Sequence, residues 1–504
     1  MTRHAIAAGH ELTAQAAADT LDAGGNAVDA AIAAALTSMV AEPVLAGLLG
    51  GGFLMVREPG GSTRLLDFFV QTPGRKLPED DLDFRAILAE FGTATQEFHI
   101  GAGTIATPGA APGLAEAHAR LGRIPFRALS EPAITAARQG VEVTDFQANL
   151  GQIVSAILTA TPEARTLCCD DDDKPLPAGA TWKNSDFADV LEVYAAEGPR
   201  FVTAGEVGQA LLALTDQGGH LRAADLKSYS PEWRDPLTIR RGDAQLALNP
   251  PPALGGALIA FAMELLGRDP DAANLARAFD ATTVARVTAG LDDDPEAGAA
   301  RLLSADLVSR FRGQLSAPST RGTTHISVID KDGLGAALTL SNGEGCGLIA
   351  PGTGIMPNNM LGEADLLPKG LDSWATDRRM SSMMCPLALN WPDGRFAMLG
   401  SGGSNRIRSA LTQVLLGVID RGLPLGVAIE APRCHVEAGD PAPVDFEDIG
   451  GDAFRDAILS AYPEARPWPE RSMFFGGVHG VMAAPGGGLS AAGDPRRAGS
   501  ARVG

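Results

Sequence analysis

Small apolar residues recur along the first hundred positions, with short polar breaks between them. Their spacing over 13–21 predicts an alanine-rich helix, and Asn26 is a suitable N-cap for a second helix over 27–40. Apolar runs at 53–56 and 64–70 predict strands. From 105 to 320 the periodicity is mainly helical, with Pro and Gly between the helices; the most regular stretches are 112–121, 208–215 and 256–266.

Apolar and polar residues alternate over 324–329 and again over 336–341, which predicts the two strands of a hairpin. A further strand over 396–399 ends in a glycine-rich segment, 400–404, and an apolar helix follows over 407–419. Strands with helices on both sides predict a layered α/β architecture.

The hairpin turn sets which residues face each other across the two strands. Asp332-Gly333 is a frequent two-residue hairpin turn. With these residues at its centre, Thr324 faces Ser341 and Thr323 faces Asn342. Two hydroxyls and an amide would then gather at the open end of the hairpin.

The charge of the chain excludes some partners. Its 504 residues include 41 basic and 61 acidic ones, which gives a net charge of −20. Because an acidic surface repels phosphate backbones, we expect no nucleic-acid partner. No apolar run is long enough to span a bilayer, and the start lacks the pattern of a signal peptide. We therefore expect a cytoplasmic protein without membrane contact, or a periplasmic or secreted one if the true start lies upstream.

Five cysteines, an odd number without metal-ligand spacing, predict neither a disulfide framework nor a metal centre. Cys168-Cys169 beside the acidic run 170–173 would allow a metal site, but an exposed acidic loop is the simpler interpretation. We expect no metal and no cofactor.

Thr323 is the candidate nucleophile. A threonine hydroxyl needs an adjacent base, and cleavage of the chain before Thr323 would supply one, since the α-amine it frees has a pKa of roughly 7.7–8.0. Gly322 can adopt the strained backbone that such self-cleavage requires. The alternative is that Thr323-Thr324 merely starts a strand.

Three other segments have a chemical and a structural interpretation. Gly402-Gly403 could offer backbone N–H groups as an oxyanion hole, or form a tight turn between strand and helix. Ser381-Ser382 could bind a carboxylate or cap a helix, and capping is the simpler interpretation. The triplet 50–52 could cradle a phosphate, but it precedes a strand rather than a helix, which disfavours a nucleotide site.

The chain resembles the γ-glutamyltranspeptidase (γ-glutamyltransferase) family along almost its whole length. The matching motifs occur in the family's order and are Gly24 to Ala31, Glu42-Pro43, Gly50 to Phe53, Thr107-Pro108-Gly109 with Gly113-Leu114, Pro250 to Pro252 with Gly255-Gly256, Thr323 to Val328, Gly354-Ile355 with Asn358-Asn359, Ser381-Ser382-Met383, Gly400 to Ser404, and Gly493 to Arg497.

The resemblance implies a four-layer αββα sandwich of the N-terminal-nucleophile hydrolases. It implies self-cleavage into a large subunit, 1–322, and a small subunit, 323–504, which together form one domain. Thr323 would attack an amide carbonyl to give an acyl-enzyme, and water or an amine would release the acyl group. Gly402 and Gly403 match the oxyanion-hole glycines, and Ser341 matches the second hydroxyl residue near the nucleophile.

The resemblance also implies substrate-binding positions, and several of them depart from the family pattern. Ser381 and Ser382 match the serines that contact the substrate carboxylate. Phe69 replaces the arginine that grips the α-carboxylate. Met360 and Glu363 replace a glutamine and an aspartate, respectively, and Glu363 could still hold an ammonium group.

The loop at 341–347 is shorter than usual in the family, and Asn342 is our candidate for its substrate-binding asparagine. The resemblance thus implies that the substrate is a small γ-glutamyl amide such as glutathione, or another acyl amide as in the cephalosporin and glutaryl acylases. A non-catalytic binding protein of the same fold and a nucleotide-binding protein are further alternatives.

Overall fold

The computed structural model describes residues 4–91, 94–311, 323–364, 366–367, 370–437 and 443–504. Its strands, numbered in chain order, are β1 (Ala5–Ala8), β2 (Gly51–Arg57), β3 (Thr63–Phe68), β4 (Arg85–Phe91), β5 (Ala94–Ile100), β6 (Val141–Glu142), β7 (Thr181–Trp182), β8 (Glu232–Arg234), β9 (Leu237–Arg241), β10 (Ala244–Leu248), β11 (Thr324–Ile329), β12 (Gly335–Ser341), β13 (Leu387–Asn390), β14 (Phe396–Gly402), β15 (Cys434–Val436), β16 (Val444–Glu447), β17 (Arg466–Trp468), β18 (Gly477–Ala483), β19 (Leu489–Ala492) and β20 (Ser500–Val503).

The helices of the described ranges are α1 (Glu11–Asp22), α2 (Ala27–Ala41), α3 (Ala110–Leu121), α4 (Phe126–Gln139), α5 (Asp145–Ile153), α6 (Ser155–Leu158), α7 (Pro162–Cys168), α8 (Ser185–Glu197), α9 (Arg200–Thr203), α10 (Glu206–Thr215), α11 (Ala223–Ser228), α12 (Gly255–Leu265), α13 (Ala272–Thr288), α14 (Pro295–Leu302), α15 (Ala305–Phe311), α16 (Arg406–Ile419), α17 (Leu425–Glu430) and α18 (Asp452–Ala461).

Two antiparallel sheets form the centre of the molecule. The first has the strand order β20-β1-β11-β12-β2-β3-β8, and the second has the order β19-β18-β14-β13-β10-β9. β11 packs against β14 and β18, so the sheets lie face to face. Helix α2 covers the outer face of the first sheet, and α16 covers that of the second. The predicted four-layer αββα sandwich is confirmed.

Helix α2 illustrates how local sequence builds these layers. The side chain of Asn26 accepts hydrogen bonds from the N–H groups of Val28 and Asp29, and the Asp29 carboxylate accepts one from the Asn26 N–H in return. Every residue of α2 is buried. Because most of them are small, the helix packs closely against its neighbours. The predicted helix over 27–40 is confirmed with one further residue.

The middle segment is less uniformly helical than predicted. Helices α3, α10 and α12 lie where the periodicity placed them. The same segment also contains β8, which ends the first sheet, and β9 and β10, which end the second. These strands have only three to five residues each, too few for a clear period in the sequence.

The predicted hairpin register is wrong by one residue. Thr324 pairs with Leu340, not with Ser341. The turn has three residues, and Gly333 adopts a φ of +80° in it. The Asp330 carboxylate accepts hydrogen bonds from the N–H groups of Asp332 and Leu334, at 2.9 and 3.1 Å, and so fixes the longer turn. The same register, continued by one position, places Thr323 opposite Ser341.

Candidate functional site

Thr323 lies directly before β11, in the middle of the first sheet, and is buried. Gly322, the other half of the predicted cleavage site, lies outside the described residues. The guanidinium of Arg497 donates a hydrogen bond from Nη1 to the Thr323 carbonyl oxygen at 3.3 Å. Burial lowers the pKa of Arg497 to about 10, and the charge of Arg406 contributes to the shift. Arg497 is therefore a fixed cationic contact at the start of β11.

Side chains alternate between the two faces of β11. His325 faces the second sheet, since a Cβ on Gly400 of β14 would stand 2.3 Å from its ring. Its ring nitrogens are hydrogen-bonded to the hydroxyls of Thr339 and Ser327, each at 2.8 Å. Burial holds the pKa of His325 well below its usual value. Thr324 faces the helices on the opposite side, where its hydroxyl donates to Glu42 at 2.7 Å.

A pocket of about 260 Å³ opens beside Thr323. Ser341 lines it next to Thr323, as the corrected register requires, and its Oγ accepts a hydrogen bond from the Gly343 N–H at 3.1 Å. The other lining residues are Phe69, Met360, Glu363, Leu366, Ser382, Met383, Met384, Ser404 and Ile407. This described lining contains one carboxylate and no arginine, lysine or histidine.

Gly402 and Gly403 lie beside Thr323 at the end of β14. A Cβ on Gly402 would stand 2.0 Å from the Thr323 carbonyl oxygen, so only glycine fits there. Gly403 has a φ of +118°, which favours glycine, and turns the chain into α16. The backbone of Gly402 thus lies against the Thr323 carbonyl, with no side chain between them, and Gly403 follows directly.

The hydroxyls of Ser381 and Ser382 do not cap a helix, so the simpler interpretation of this pair is wrong; only the Ser382 carbonyl meets a helix, where it accepts from the N–H groups of Leu254 and Gly255 at the start of α12. The Ser382 Oγ accepts from the Met384 N–H at 3.1 Å, and the segment continues to β13. Ser382 lines the pocket, while the Ser381 hydroxyl donates to the Leu366 carbonyl at 3.5 Å. The pair therefore stands at the pocket edge.

The structure does not bring Asn342 to the pocket. Its Nδ2 donates to the Met356 carbonyl at 3.0 Å, and its amide lies against Gly47. The reason is the one-residue difference in register, which turns Ser341 to the pocket and the next residue away. Asn342 instead anchors the 341–347 loop.

Phe69, Met360 and Glu363 do reach the pocket, and all three are buried. The Phe69 ring stacks on Phe53, with 5.4 Å between centroids. Arg379 is close in sequence to Ser381, but its Nη1 donates to the Phe69 carbonyl at 2.6 Å and its Nε lies 3.7 Å from the Asp67 carboxylate. This arginine therefore holds the pocket wall from behind and is not part of the lining.

Glu42 and Arg497 belong to the matching motifs, but the sequence analysis gave neither of them a role beside Thr323. Each contacts the Thr323-Thr324 segment from a distant part of the chain. The signal available in the sequence was their place in the matching motifs.

The predicted exclusions concern metals, disulfides and membranes. All five cysteines are free. Within the part of the chain that the structure describes, no group of three His, Cys, Asp or Glu could hold a metal ion. The helices of that part are all too short or too polar to cross a bilayer.

Comparisons with known proteins agree with this architecture. The sequence profile described as Gamma-glutamyltranspeptidase matches residues 13–504. The Acylase ACY 1 proenzyme of Pseudomonas sp. (strain V22) is 31% identical over 469 residues, which cover 87% of this chain and 83% of the relative. The Glutathione hydrolase proenzyme of Pseudomonas aeruginosa is 30% identical over 473 residues, covering 86% and 82%.

A solved structure gives the same result for the fold. The cephalosporin acylase from Bacillus halodurans superposes with a TM-score of 0.82, at 24% identity, over 99% of this chain and 96% of that one.

Proposed function

Because the chain belongs to the gamma-glutamyltranspeptidase family of enzymes, we propose that it is a self-processing amide hydrolase or acyltransferase with Thr323 as its nucleophile. The observation that carries the proposal is the position of Thr323. It lies buried at the start of a central strand, beside Ser341 and against the backbone of Gly402. The proenzyme names of the relatives support processing.

Processing would begin with attack of the Thr323 hydroxyl on the carbonyl carbon of Gly322. The peptide C–N bond breaks as the ester C–O bond forms, and the proton of the hydroxyl passes to the α-nitrogen. Water then hydrolyses the ester, which leaves a carboxylate on Gly322 and a free α-amine on Thr323. Residues 1–322 would form the large subunit and 323–504 the small one.

The sheet topology supports a processed pair that stays together. The first sheet takes β1, β2, β3 and β8 from the large part and β11, β12 and β20 from the small part. β11 lies between β1 and β12, so cutting before it breaks no pairing within the sheet. Both subunits therefore share one αββα domain.

In turnover, the hydroxyl oxygen of Thr323 would attack the substrate carbonyl carbon, while the freed α-amine of the same residue accepts the hydroxyl proton. The N–H groups of Gly402 and Gly403 would stabilise the negative oxygen of the tetrahedral intermediate. The leaving amine takes the proton, and an acyl ester on Thr323 remains. Water or an acceptor amine then attacks this ester, and Ser341 contributes a second hydroxyl beside it.

A γ-glutamyl amide of the glutathione type is the first candidate substrate. The family and the glutathione hydrolase relative support it. In this assignment Glu363 would bind the substrate ammonium, and Ser381 and Ser382 its carboxylate.

A non-glutamyl acyl amide is the second candidate, and the pocket lining favours it. Phe69 and Met360 present apolar surface, and no cation lines the described pocket. A missing charge-assisted contact to a carboxylate costs on the order of 1.5–3 kcal/mol. The acylase relative supports this candidate.

Three anilides that differ only in the acyl group test the proposal. The γ-glutamyl group has an ammonium and a carboxylate, glutaryl has the carboxylate alone, and valeryl has neither. We expect the valeryl anilide to give the highest kcat/KM, while preference for γ-glutamyl would establish the first candidate. A single uncleaved chain that turns over none of them would contradict the enzyme proposal and indicate a binding protein.

A further inference from the structure

Glu42 is a buried carboxylate that holds the start of β11 from its outer side. It follows the last residue of α2, and its backbone N–H still donates to the Ser38 carbonyl. Its Oε2 accepts the hydrogen bond from the Thr324 hydroxyl at 2.7 Å, and its Oε1 accepts one from the Thr13 hydroxyl of α1 at 3.2 Å. One side chain therefore joins α1, α2 and β11.

The surroundings of Glu42 leave its charge weakly compensated. Thr13 and Thr324 are neutral donors, and the charged group that acts on Glu42 is Arg497. Glu42 also lines a largely apolar cavity of about 1040 Å³, which has Glu142 and Glu344 in its wall but no cation among its described lining. Burial raises the pKa of Glu42 to about 7, and the two hydroxyls and Arg497 oppose the shift.

Two contacts thus hold adjacent residues of one strand from different directions. Glu42 binds the side chain of Thr324, and Arg497 binds the carbonyl of Thr323. The peptide between Thr323 and Thr324 is fixed at both ends. A shift or rotation of this peptide would move the candidate nucleophile. A displacement of about 1 Å is enough to lower catalysis strongly.

We propose that Glu42 is a positioning residue for Thr323: as a carboxylate it makes a charge-assisted hydrogen bond with the Thr324 hydroxyl and balances the charge of Arg497, and its protonation weakens both interactions at the start of β11. The inference rests on the proposed function, in which Thr323 is the nucleophile. Glu42 touches no substrate, so it acts on the reaction only through Thr324 and Arg497.

The proposal predicts an acid limb in the pH dependence of kcat. The active form is the carboxylate, so kcat rises as the pH increases through about 7, the pKa of Glu42. KM changes little, because the substrate pocket lies on the other face of β11.

The test compares Glu42→Gln with the wild type, using the processed fraction of each protein and the best of the three anilides. Gln keeps the size of the side chain and can still bond both hydroxyls, but it has no charge. We expect kcat to fall about tenfold with KM within twofold, and the acid limb to lose its contribution near pH 7, so that only the titration of the Thr323 α-amine at roughly pH 7.7–8.0 remains. An unchanged acid limb in this variant overturns the proposal.

Thr324 variants test the route by which Glu42 acts. We expect Thr324→Val to lower kcat as Glu42→Gln does, whereas Thr324→Ser, which keeps the hydroxyl, should have a kcat near that of the wild type. The kcat of the Glu42→Gln/Thr324→Val double variant should fall no further than that of either single variant. Independent, multiplying effects would contradict a shared route.

Asp280→Asn is the matched control. Asp280 lies in α13, is buried, and has a pKa that burial also raises to about 7, but it faces Arg408 rather than β11. Its replacement should leave the acid limb in place.

If Thr323→Ala keeps full activity, the proposed nucleophile is wrong. If Thr323→Ala is inactive and Glu42→Gln behaves as wild type, the role of Glu42 alone is wrong.

Discussion

The carbonyl oxygen of Thr323 lies 2.0 Å from the position that a Cβ on Gly402 would occupy. The two residues come from different sheets, β14 and the start of β11, and meet backbone to backbone. This contact fixes the spacing between the candidate nucleophile and the glycines proposed as its oxyanion hole.

Gly402→Ala should therefore abolish activity and destabilise the fold by about 1–3 kcal/mol, because the added methyl group meets backbone that cannot move away. Urea unfolding and anilide turnover measure the two effects. Gly60→Ala is the control, since a Cβ at Gly60 has nothing within 4 Å. Wild-type activity in Gly402→Ala would contradict the proposed contact.

Thr323→Ala should remain one chain and lose turnover by roughly three orders of magnitude or more, because it has neither nucleophile nor processing group. Thr323→Ser should still be processed and active, since serine offers both a hydroxyl and, after cleavage, an α-amine. Gel bands and initial rates give the answer. Turnover by the alanine variant at the wild-type rate would refute the assignment.

Phe69→Arg should shift selectivity toward acyl groups that carry a carboxylate, because it puts a cation into the pocket. We expect the ratio of kcat/KM for glutaryl over valeryl anilide to rise about tenfold or more. Phe53→Leu disturbs the same ring stack without adding charge, so its ratio should stay near that of the wild type. An equal rise in both variants would point to loosened packing rather than charge.

The buried imidazole of His479 should make the protein less stable in acid. Burial lowers its pKa to about 4, and the charge of Asp494 opposes this shift. Since the pKa in the folded state lies below the usual value of 6.5, the unfolded state takes up the proton first as the pH falls. The free energy of unfolding is therefore unaffected by His479 above pH 6.5 and decreases as the pH falls toward 4.

The loss from His479 amounts to about 3 kcal/mol between these limits. Urea unfolding at intervals from pH 7.5 to 4.5 should give a shallower slope for His479→Gln than for the wild type. Identical slopes would mean that another group is responsible.

Sequence patterns predicted the elements with strong local signals. Asn26 marked the start of α2, and alternation marked β11 and β12. The hairpin register was not predictable from Asp332-Gly333, because the Asp330 side chain and the positive φ of Gly333 select a longer turn. That one-residue difference also turns Asn342 away from the pocket.

The site was predictable only in part, for a related reason. Chemistry and the hairpin pattern indicated Thr323 and Ser341, the resemblance added Phe69 and Glu363, and the structure places all four around one pocket. The relation of Glu42 to Thr324 depends on the packing of α2 against β11, between residues 282 positions apart. No local periodicity encodes such a contact.

N-terminal sequencing of the smaller fragment in the purified protein shows whether the chain is cut before Thr323. We expect a fragment that begins Thr-Thr-His, from Thr323 onward, and a second fragment that ends at Gly322. A catalytically active protein whose link between these two residues is intact would contradict this expectation.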